Sequence, residues 1–167
     1  PRSTPFPSTT RFRSRGIVVG RLDVNTSGLL LFTTDGELAH RLMHPSSRIE
    51  REYLVRVRGR PGGDTLRKLL RGIPLEEGPA AFDRISDEPA PGGEAAARNA
   101  SYRVVLHEGR NREVRRLWEA AGYEVSRLLR IRYGPVELPR DLRPGQWRLL
   151  DERLTARLAA AAALPAA

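Results

Sequence analysis

Cysteine is absent from this sequence of 167 residues, and only one methionine is present. The absence of cysteine excludes disulfide bonds, thiolate metal ligands and catalysis by a nucleophilic cysteine. The three histidines, His40, His44 and His107, lie at scattered positions and form no H-E-x-x-H pattern. We therefore expect no bound metal ion.

Long apolar segments are missing as well. No run approaches the roughly 18 apolar residues that span a bilayer, and the first residues show no signal-peptide pattern. Apolar residues make up 40% of the chain and charged residues 29%, which is typical of a globular domain. We expect a monomeric cytoplasmic protein with a single core, which this length allows.

Lysine is nearly absent, because Lys68 is the only lysine among 29 basic residues. With 20 acidic residues the formal net charge is +9, and the sequence pI is about 11.1. Arginine forks bind phosphate groups bidentately and stack on bases. This composition indicates a polyanionic partner, RNA or DNA, although charge alone also allows a basic surface that binds nothing.

The chain divides into three parts by composition. Residues 1–15 are rich in Pro, Ser, Thr and Arg and show no helical or strand period, which predicts a disordered or foreign leader. Residues 16–154 carry the periodic apolar pattern of a folded domain, and residues 155–167 form an alanine-rich tail. Within the domain, residues 88–97 are predicted to be the least ordered loop, since they are mainly Pro, Gly, Ala and Glu.

The apolar pattern predicts helices and strands in mixed order, and hence an α+β fold with a mainly antiparallel sheet. The predicted strands cover residues 17–19, 28–33, 53–58, 73–75, 80–85, 101–107, 125–133 and 146–150. The predicted helices begin at Thr34, Asp64 and Asn111, each serving as N-cap, and a last helix covers residues 151–160.

Asp23 lies in a loop of turn-forming residues, 20–28, between two predicted strands. Its neighbours Leu22 and Val24 are apolar, so the carboxylate is expected to be partly desolvated. Because it lies in a loop, the backbone can orient the carboxylate toward a substrate. That setting suits a catalytic aspartate. A turn aspartate that caps its own loop remains the alternative.

Four arginines surround the start of the helix predicted after Asn111, where free backbone N–H groups already favour anions. Arg115 falls at the edge of the apolar stripe and is expected to have a buried anionic partner. Arg116 and Arg112 point away from the stripe, and we expect them to bind phosphate together with Arg110. A solvated basic helix face is the alternative reading.

Tyr53 is the first residue on the inner face of an alternating strand. A tyrosine there offers a flat ring for stacking and a hydroxyl for hydrogen bonding. An ordinary core tyrosine would produce the same pattern.

Three linked motifs resemble the RsuA/RluB/RluE/RluF family of bacterial ribosomal RNA pseudouridine synthases. They are GRLD, TSGLLL and TDG at residues 20–36, REY at 51–53, and EGRNREVRRL at 108–117, followed by a stretch that ends in GP at 134–135. The resemblance covers residues 16–151 in the family's order. Within the family, the sequence is most similar to the RluB type, which acts on large-subunit RNA.

The resemblance implies a role for each matching position. Asp23 corresponds to the catalytic aspartate, Tyr53 to the residue that packs on the target base, and Arg115 to the basic residue that pairs with the aspartate. Leu128 corresponds to an apolar wall of the pocket. Arg21 is expected to fill the space left by the flipped base or to bind a phosphate.

The implied reaction isomerises a uridine to pseudouridine in ribosomal RNA by breaking the N1–C1′ bond and rejoining the base through C5. It needs no metal or organic cofactor, and the expected active cleft crosses the face of the sheet. The target base must first leave its stack. Attack of the aspartate on the sugar and removal of a sugar proton both remain open. The family carries an N-terminal S4-like RNA-binding domain that residues 1–15 do not match, so we expect a catalytic-domain fragment.

Two other functions are compatible with part of this sequence. A non-catalytic RNA-binding or ribosome-assembly module fits the charge equally well, but does not require Asp23, Tyr53 and Arg115 together. An RNA methyltransferase is disfavoured because no G-x-G-x-x-G cofactor loop follows a strand.

Overall fold

A computed structural model describes residues 16–89 and 98–163 of the chain. The described helices are α1 Gly36–Met43, α2 Gly63–Arg71, α3 Glu113–Ala120 and α4 Glu152–Ala162. The strands are β1 Ile17–Val19, β2 Ser27–Gly28, β3 Leu31–Thr33, β4 Arg51–Arg58, β5 Ile73–Leu75, β6 Gly78–Ala80, β7 Arg84–Asp87, β8 Asn99–Leu106, β9 Val125–Tyr133 and β10 Val136–Glu137. The predicted leader and most of the predicted loop at 88–97 lie outside the described residues.

The central sheet has the strand order β10-β9-β4-β8-β7, and all of these neighbours are antiparallel. The short strand β2 adds to β9 in parallel. Two further pairs, β1 with β3 and β5 with β6, form separate two-stranded sheets. The prediction of an α+β fold with a mainly antiparallel sheet is confirmed.

Two apolar clusters stabilise the domain. The larger one packs α3 against the central sheet, with Val55, Leu117 and Trp118 all fully buried. The smaller one joins α1, α4 and the far end of β9, where Tyr133 is buried. Because α4 contributes Leu158 to this second cluster, part of the predicted tail belongs to the folded domain. None of the described helices is long and apolar enough to cross a membrane.

The helix starts differ from the predicted N-caps. Asp35, not Thr34, caps α1, and its carboxylate accepts hydrogen bonds from the N–H groups of Glu37 and Leu38 at 3.0 and 3.1 Å. Helix α2 starts one residue earlier than predicted, so Asp64 lies inside its first turn and pairs with Arg67 instead of capping it.

Helix α3 also has no side-chain cap, and the prediction that Asn111 caps it was wrong. Its N-cap position is Arg112, which adopts a left-handed conformation with φ of 52°. The left-handed residue turns the chain sharply into the helix, and Asn111 lies outside the cap position. The buried stripe of Val114, Leu117 and Trp118 is as predicted.

Three strand predictions also need correction. Residues 28–33 are divided between β2 and β3, which pair with different partners, and residues 80–85 are divided between β6 and β7. Residues 146–150 form no strand and lie in an irregular segment before α4. The apolar pattern does not reveal the first of these breaks, since the apolar run of residues 29–32 continues through it.

Candidate active site

A pocket of about 290 Å³ opens where the two apolar clusters meet. It is formed by the loop after β1, the start of β4, the middle of β9 and the segment that leads into α3. Met43 of α1 and Leu106 of β8 also line it, so segments that are far apart in sequence supply its walls. Of the predicted site residues, the pocket brings together Asp23, Tyr53, Leu128, Arg21, Arg110 and Arg112.

The loop that carries Asp23 is fixed at its far end by the central sheet. Gly28 pairs with Arg130 of β9, and the N–H of Leu29 donates to the Arg130 carbonyl at 2.8 Å. A Cβ atom on Gly28 would come within 2.2 Å of that carbonyl oxygen, and its φ of +115° also favours glycine. The glycine thus permits the close approach that holds the loop on β9.

Asp23 itself is half-buried and lines the pocket. Its backbone carbonyl accepts a hydrogen bond from the N–H of Thr26 at 3.0 Å, which closes a turn in the loop. The half-buried setting agrees with the expectation for Asp23, but Val24 does not provide it, because Val24 is fully exposed. Within the described residues, its carboxylate has no basic side chain within the 4.0 Å of an ion pair.

Tyr53 and Leu128 form the apolar side of the pocket. Tyr53 is half-buried on β4, and Leu128 is buried on the neighbouring strand β9 with 5% of its surface exposed. Both side chains line the pocket that contains Asp23. An aromatic ring and an aliphatic wall on one side of a carboxylate make a suitable place for a flat heterocyclic base.

Arg115 is buried, with 8% exposure, but it does not form the predicted ion pair with Asp23. Its Nη2 instead donates to the backbone carbonyl of Asn25 at 2.6 Å, two residues farther along the same loop. The direct pair was therefore a wrong prediction. The physical reason is that the turn at 23–26 presents the Asn25 carbonyl oxygen to α3, where Nη2 of Arg115 bonds to it.

The other four predicted arginines fall into two groups. Arg21 and Arg112 are exposed at the pocket, and Arg21 donates to the side-chain oxygen of Asn111 at 3.3 Å. Arg110 donates to the carbonyls of Gly78 and Pro79, both at 3.0 Å.

Arg116 does not line the pocket. It forms an ion pair with Glu77 at 2.7 Å and a hydrogen bond to the Asn111 carbonyl at 2.8 Å. Arg110 and Arg116 thus bind groups of the protein itself, whereas Arg21 and Arg112 are exposed and accessible to a ligand.

Three residues with no predicted role form the floor of the pocket: Arg51, Arg130 and Tyr133. The guanidinium carbons lie 4.9 Å (Arg51) and 5.2 Å (Arg130) from the centre of the Tyr133 ring. The Arg51 side chain donates to the Ile49 carbonyl at 2.7 Å and to the Tyr133 hydroxyl at 3.1 Å. Alternation could have found Arg51 and Arg130, because each lies two residues from a predicted site residue on the same strand.

A buried carboxyl group adds a second feature that the sequence did not show. Glu113 is only 3% exposed and accepts a hydrogen bond from the Arg110 N–H at 3.0 Å. Burial, and then the neighbouring Glu108 carboxyl group, raise the pKa of Glu113 to about 8. The raised pKa favours the protonated form of Glu113 at neutral pH. Over residues 16–89 and 98–163, no cluster of three or more His, Asp or Glu side chains is placed to hold a metal ion.

Known proteins resemble the chain in sequence. A family model described as RNA pseudouridylate synthase matches residues 10–120. The protein named Ribosomal large subunit pseudouridine synthase B from Yersinia pestis is 59% identical over 155 residues, which are 92% of this chain and 47% of that protein. The protein of the same name from Pseudomonas aeruginosa is 56% identical over 153 residues, covering 91% and 39%. The chain thus spans about half the length, or less, of these curated relatives.

Solved structures resemble it in fold. A structure described as "Crystal structure of pseudouridylate synthase" superposes with a TM-score of 0.73 at 29% identity, covering 84% of this chain and 58% of that one. An archaeal box H/ACA ribonucleoprotein structure gives a TM-score of 0.52 at 19% identity, over 74% of this chain and 40% of that one. The second likeness concerns the fold alone.

Proposed function

The chain belongs to the RNA pseudouridylate synthase family, and from this premise we propose that it isomerises a uridine of large-subunit (23S) ribosomal RNA to pseudouridine. The relatives that support the choice of RNA carry the name Ribosomal large subunit pseudouridine synthase B. The family resemblance inferred from the three sequence motifs is thereby confirmed.

One observation carries the proposal: Asp23, Tyr53 and Leu128 come from three separate segments and line the same pocket. A module that only bound RNA would need basic side chains at its surface, but not a carboxylate beside an aromatic ring and an apolar wall. A carboxylate repels the phosphate backbone, so its place in this pocket favours chemistry over simple binding.

In the proposed reaction, the target uridine leaves its stack and its base enters the pocket against Tyr53 and Leu128. Stacking and burial there offset the few kcal/mol that unstacking costs. The ionised Asp23 then acts at the sugar while the N1–C1′ bond breaks. The base turns within the pocket and C5 attacks C1′, after which C5 loses its proton and N1 gains one. Reactant and product have the same composition, and no electron donor or acceptor is required.

Arg115 is proposed to act as a positioning residue through the loop backbone. Its hydrogen bond to Asn25 fixes the loop two residues beyond Asp23. Fixing a reacting group before the substrate arrives removes an entropic part of the barrier. Arg21 and Arg112 are proposed to bind phosphates beside the flipped nucleotide, since both are exposed at the pocket.

The test uses an RNA stem-loop of large-subunit sequence labelled with tritium at C5 of its uridines. Pseudouridine formation releases that tritium to water. The chain is expected to release it under single-turnover conditions, and Asp23→Asn should reduce the rate at least a thousandfold while RNA affinity stays within threefold. RNA binding by the unaltered chain without any tritium release would support the non-catalytic alternative and refute the proposal.

A further inference from the structure

Arg130 occupies a position beside the proposed base-binding residues. It lies directly across from Tyr53 in the pairing of β4 with β9, and it lines the same pocket. Directly paired residues on one face of an antiparallel sheet have Cβ atoms about 4.5–5.5 Å apart. Leu128 lies two residues earlier on β9 and faces the pocket as well. Arg130 therefore stands next to both surfaces that would hold the base.

The side chain of Arg130 is buried but not fully used. It is 3% exposed, and its Nε donates to the Leu29 carbonyl at 2.9 Å. Its Nη2 is buried and makes no hydrogen bond to any described residue. No ion pair within 4.0 Å joins Arg130 to a carboxylate in the part of the chain that the structure describes. A buried cationic donor without a partner costs free energy, so its presence beside a pocket calls for an explanation by function.

The neighbouring buried arginines are Arg51 and Arg115. Both terminal nitrogens of Arg51 donate, one to the Ile49 carbonyl and one to the Tyr133 hydroxyl. Arg115 donates from Nη2 to the Asn25 carbonyl and has an unpartnered Nε among the described residues, but it does not line the pocket. Of the buried arginines that line the described pocket, Arg130 is the one with a free terminal nitrogen.

We propose that Arg130 is a catalytic residue whose Nη2 donates a hydrogen bond to a carbonyl oxygen of the uracil and stabilises the departing base. This inference rests on the proposed function. When the N1–C1′ bond breaks, its electron pair stays with the base, and the negative charge spreads over N1, O2 and O4. A fixed cationic donor stabilises this charge more strongly than it stabilises the neutral base of the bound uridine.

The hydrogen bond from Nε to Leu29 gives Arg130 the rigidity that this role needs. It fixes the plane of the guanidinium, and the contact with the Tyr133 ring supports it from one side. A donor that is already in place requires no reorganisation during the reaction. Removing one such donor typically lowers the rate by about a hundredfold to a thousandfold.

The test compares Arg130→Gln with the unaltered chain on two RNA stem-loops that differ only at the target, uridine or 5-fluorouridine. Fluorine at C5 withdraws electrons and stabilises the uracil anion without help from the protein. On uridine RNA, Arg130→Gln is expected to slow single-turnover conversion about a hundredfold with RNA affinity within threefold. On 5-fluorouridine RNA, consumption of the target nucleotide, followed by chromatography of the digested RNA, should slow by less than tenfold.

The matched control is Arg127→Gln, which removes an exposed arginine from the opposite face of β9 and should leave both rates unchanged. Arg130→Lys, which keeps the charge, provides the second variant if the glutamine variant unfolds, and it should show the same difference between the two RNAs on a smaller scale. Equal slowing on both RNAs, or a loss explained by weaker RNA binding, would overturn the role of Arg130 alone. If the unaltered chain converts neither RNA, the proposed function fails and this inference fails with it.

Discussion

The Nη2 atom of Arg115 lies 2.6 Å from the backbone carbonyl oxygen of Asn25. This contact joins the buried face of α3 to the loop that carries Asp23, across 90 positions of sequence. The guanidinium therefore acts on the position of the loop and not on the charge of the carboxylate. That distinction can be measured.

Arg115→Met should slow single-turnover conversion about tenfold to a hundredfold, because a hydrogen bond from a charged donor contributes about 1.5–3 kcal/mol. The acidic limb of the pH–rate profile should stay where it is, since the lost partner is an uncharged carbonyl. Arg115→Lys should recover part of the rate. Movement of the acidic limb to higher pH in Arg115→Met would instead support the direct ion pair with Asp23 that the sequence suggested.

Arg112 and Arg116 should contribute differently to RNA binding, although they lie four positions apart in one basic motif. Arg112 is exposed at the pocket, whereas Arg116 is paired with Glu77 at 2.7 Å. Arg112→Ala is expected to reduce the slope of log affinity against log salt by about 0.7–0.9, the value for one lost phosphate contact. Arg116→Ala should leave the slope unchanged and serves as the control. Equal slopes for the two variants would contradict this assignment.

Gly28→Ala should disrupt the attachment of the Asp23 loop to β9. The added Cβ would lie 2.2 Å from the Arg130 carbonyl oxygen, at a φ of +115°. We expect a loss of roughly 2–4 kcal/mol in the free energy of unfolding, from steric overlap and backbone strain together.

Denaturant unfolding and the conversion rate should be compared with those of Gly16→Ala, whose Cβ would meet no atom within 4 Å. Since Asp23 moves with the loop, activity should be lost even where Gly28→Ala remains folded. A folded and fully active variant would show that the loop does not depend on this approach.

The sequence predicted the inner face of β4 because side chains alternate along a strand. That rule placed Tyr53, the family resemblance indicated Leu128, and alternation from these two positions extends to Arg51 and Arg130. It fails near the end of β9, where a register shift against β4 brings Tyr133 to the pocket while Arg132 turns to pair with Glu52. A bulge of this kind leaves no mark in the apolar pattern.

The contacts of the site could not be predicted from the motifs alone. The partner of Arg115 depends on the path of the loop, which is set by the parallel pairing of β2 with β9 about 100 residues later in the chain. The motif order indicated which residues meet, but not which atom of the loop faces α3. Likewise, the raised pKa of Glu113 results from its burial and from the neighbouring Glu108 carboxyl group. Neither the burial nor this contact can be inferred from the spacing of residues in the sequence.

The pKa of Glu113 makes the stability of the domain depend on pH in a defined direction. The folded value of about 8 exceeds the ordinary value of 4.5, so the folded chain binds more protons than the unfolded chain between these limits. Stability from this group is therefore fully present below about pH 4.5 and is lost as the pH rises through about 8. At alkaline pH the carboxylate must ionise while 97% of its surface is removed from water, as its 3% exposure requires.

Glu113→Gln should remove this dependence. The amide oxygen can still accept the hydrogen bond from the Arg110 N–H, but the side chain carries no titrating proton. Between pH 5 and pH 8.5, the unaltered chain should lose on the order of 2–4 kcal/mol of unfolding free energy relative to Glu113→Gln. Glu119→Gln, at an exposed position of the same helix, is the matched control and should retain the slope of the unaltered chain. Denaturant unfolding at a series of pH values measures all three proteins, and parallel curves for Glu113→Gln and the unaltered chain would mean that Glu113 is already ionised at neutral pH.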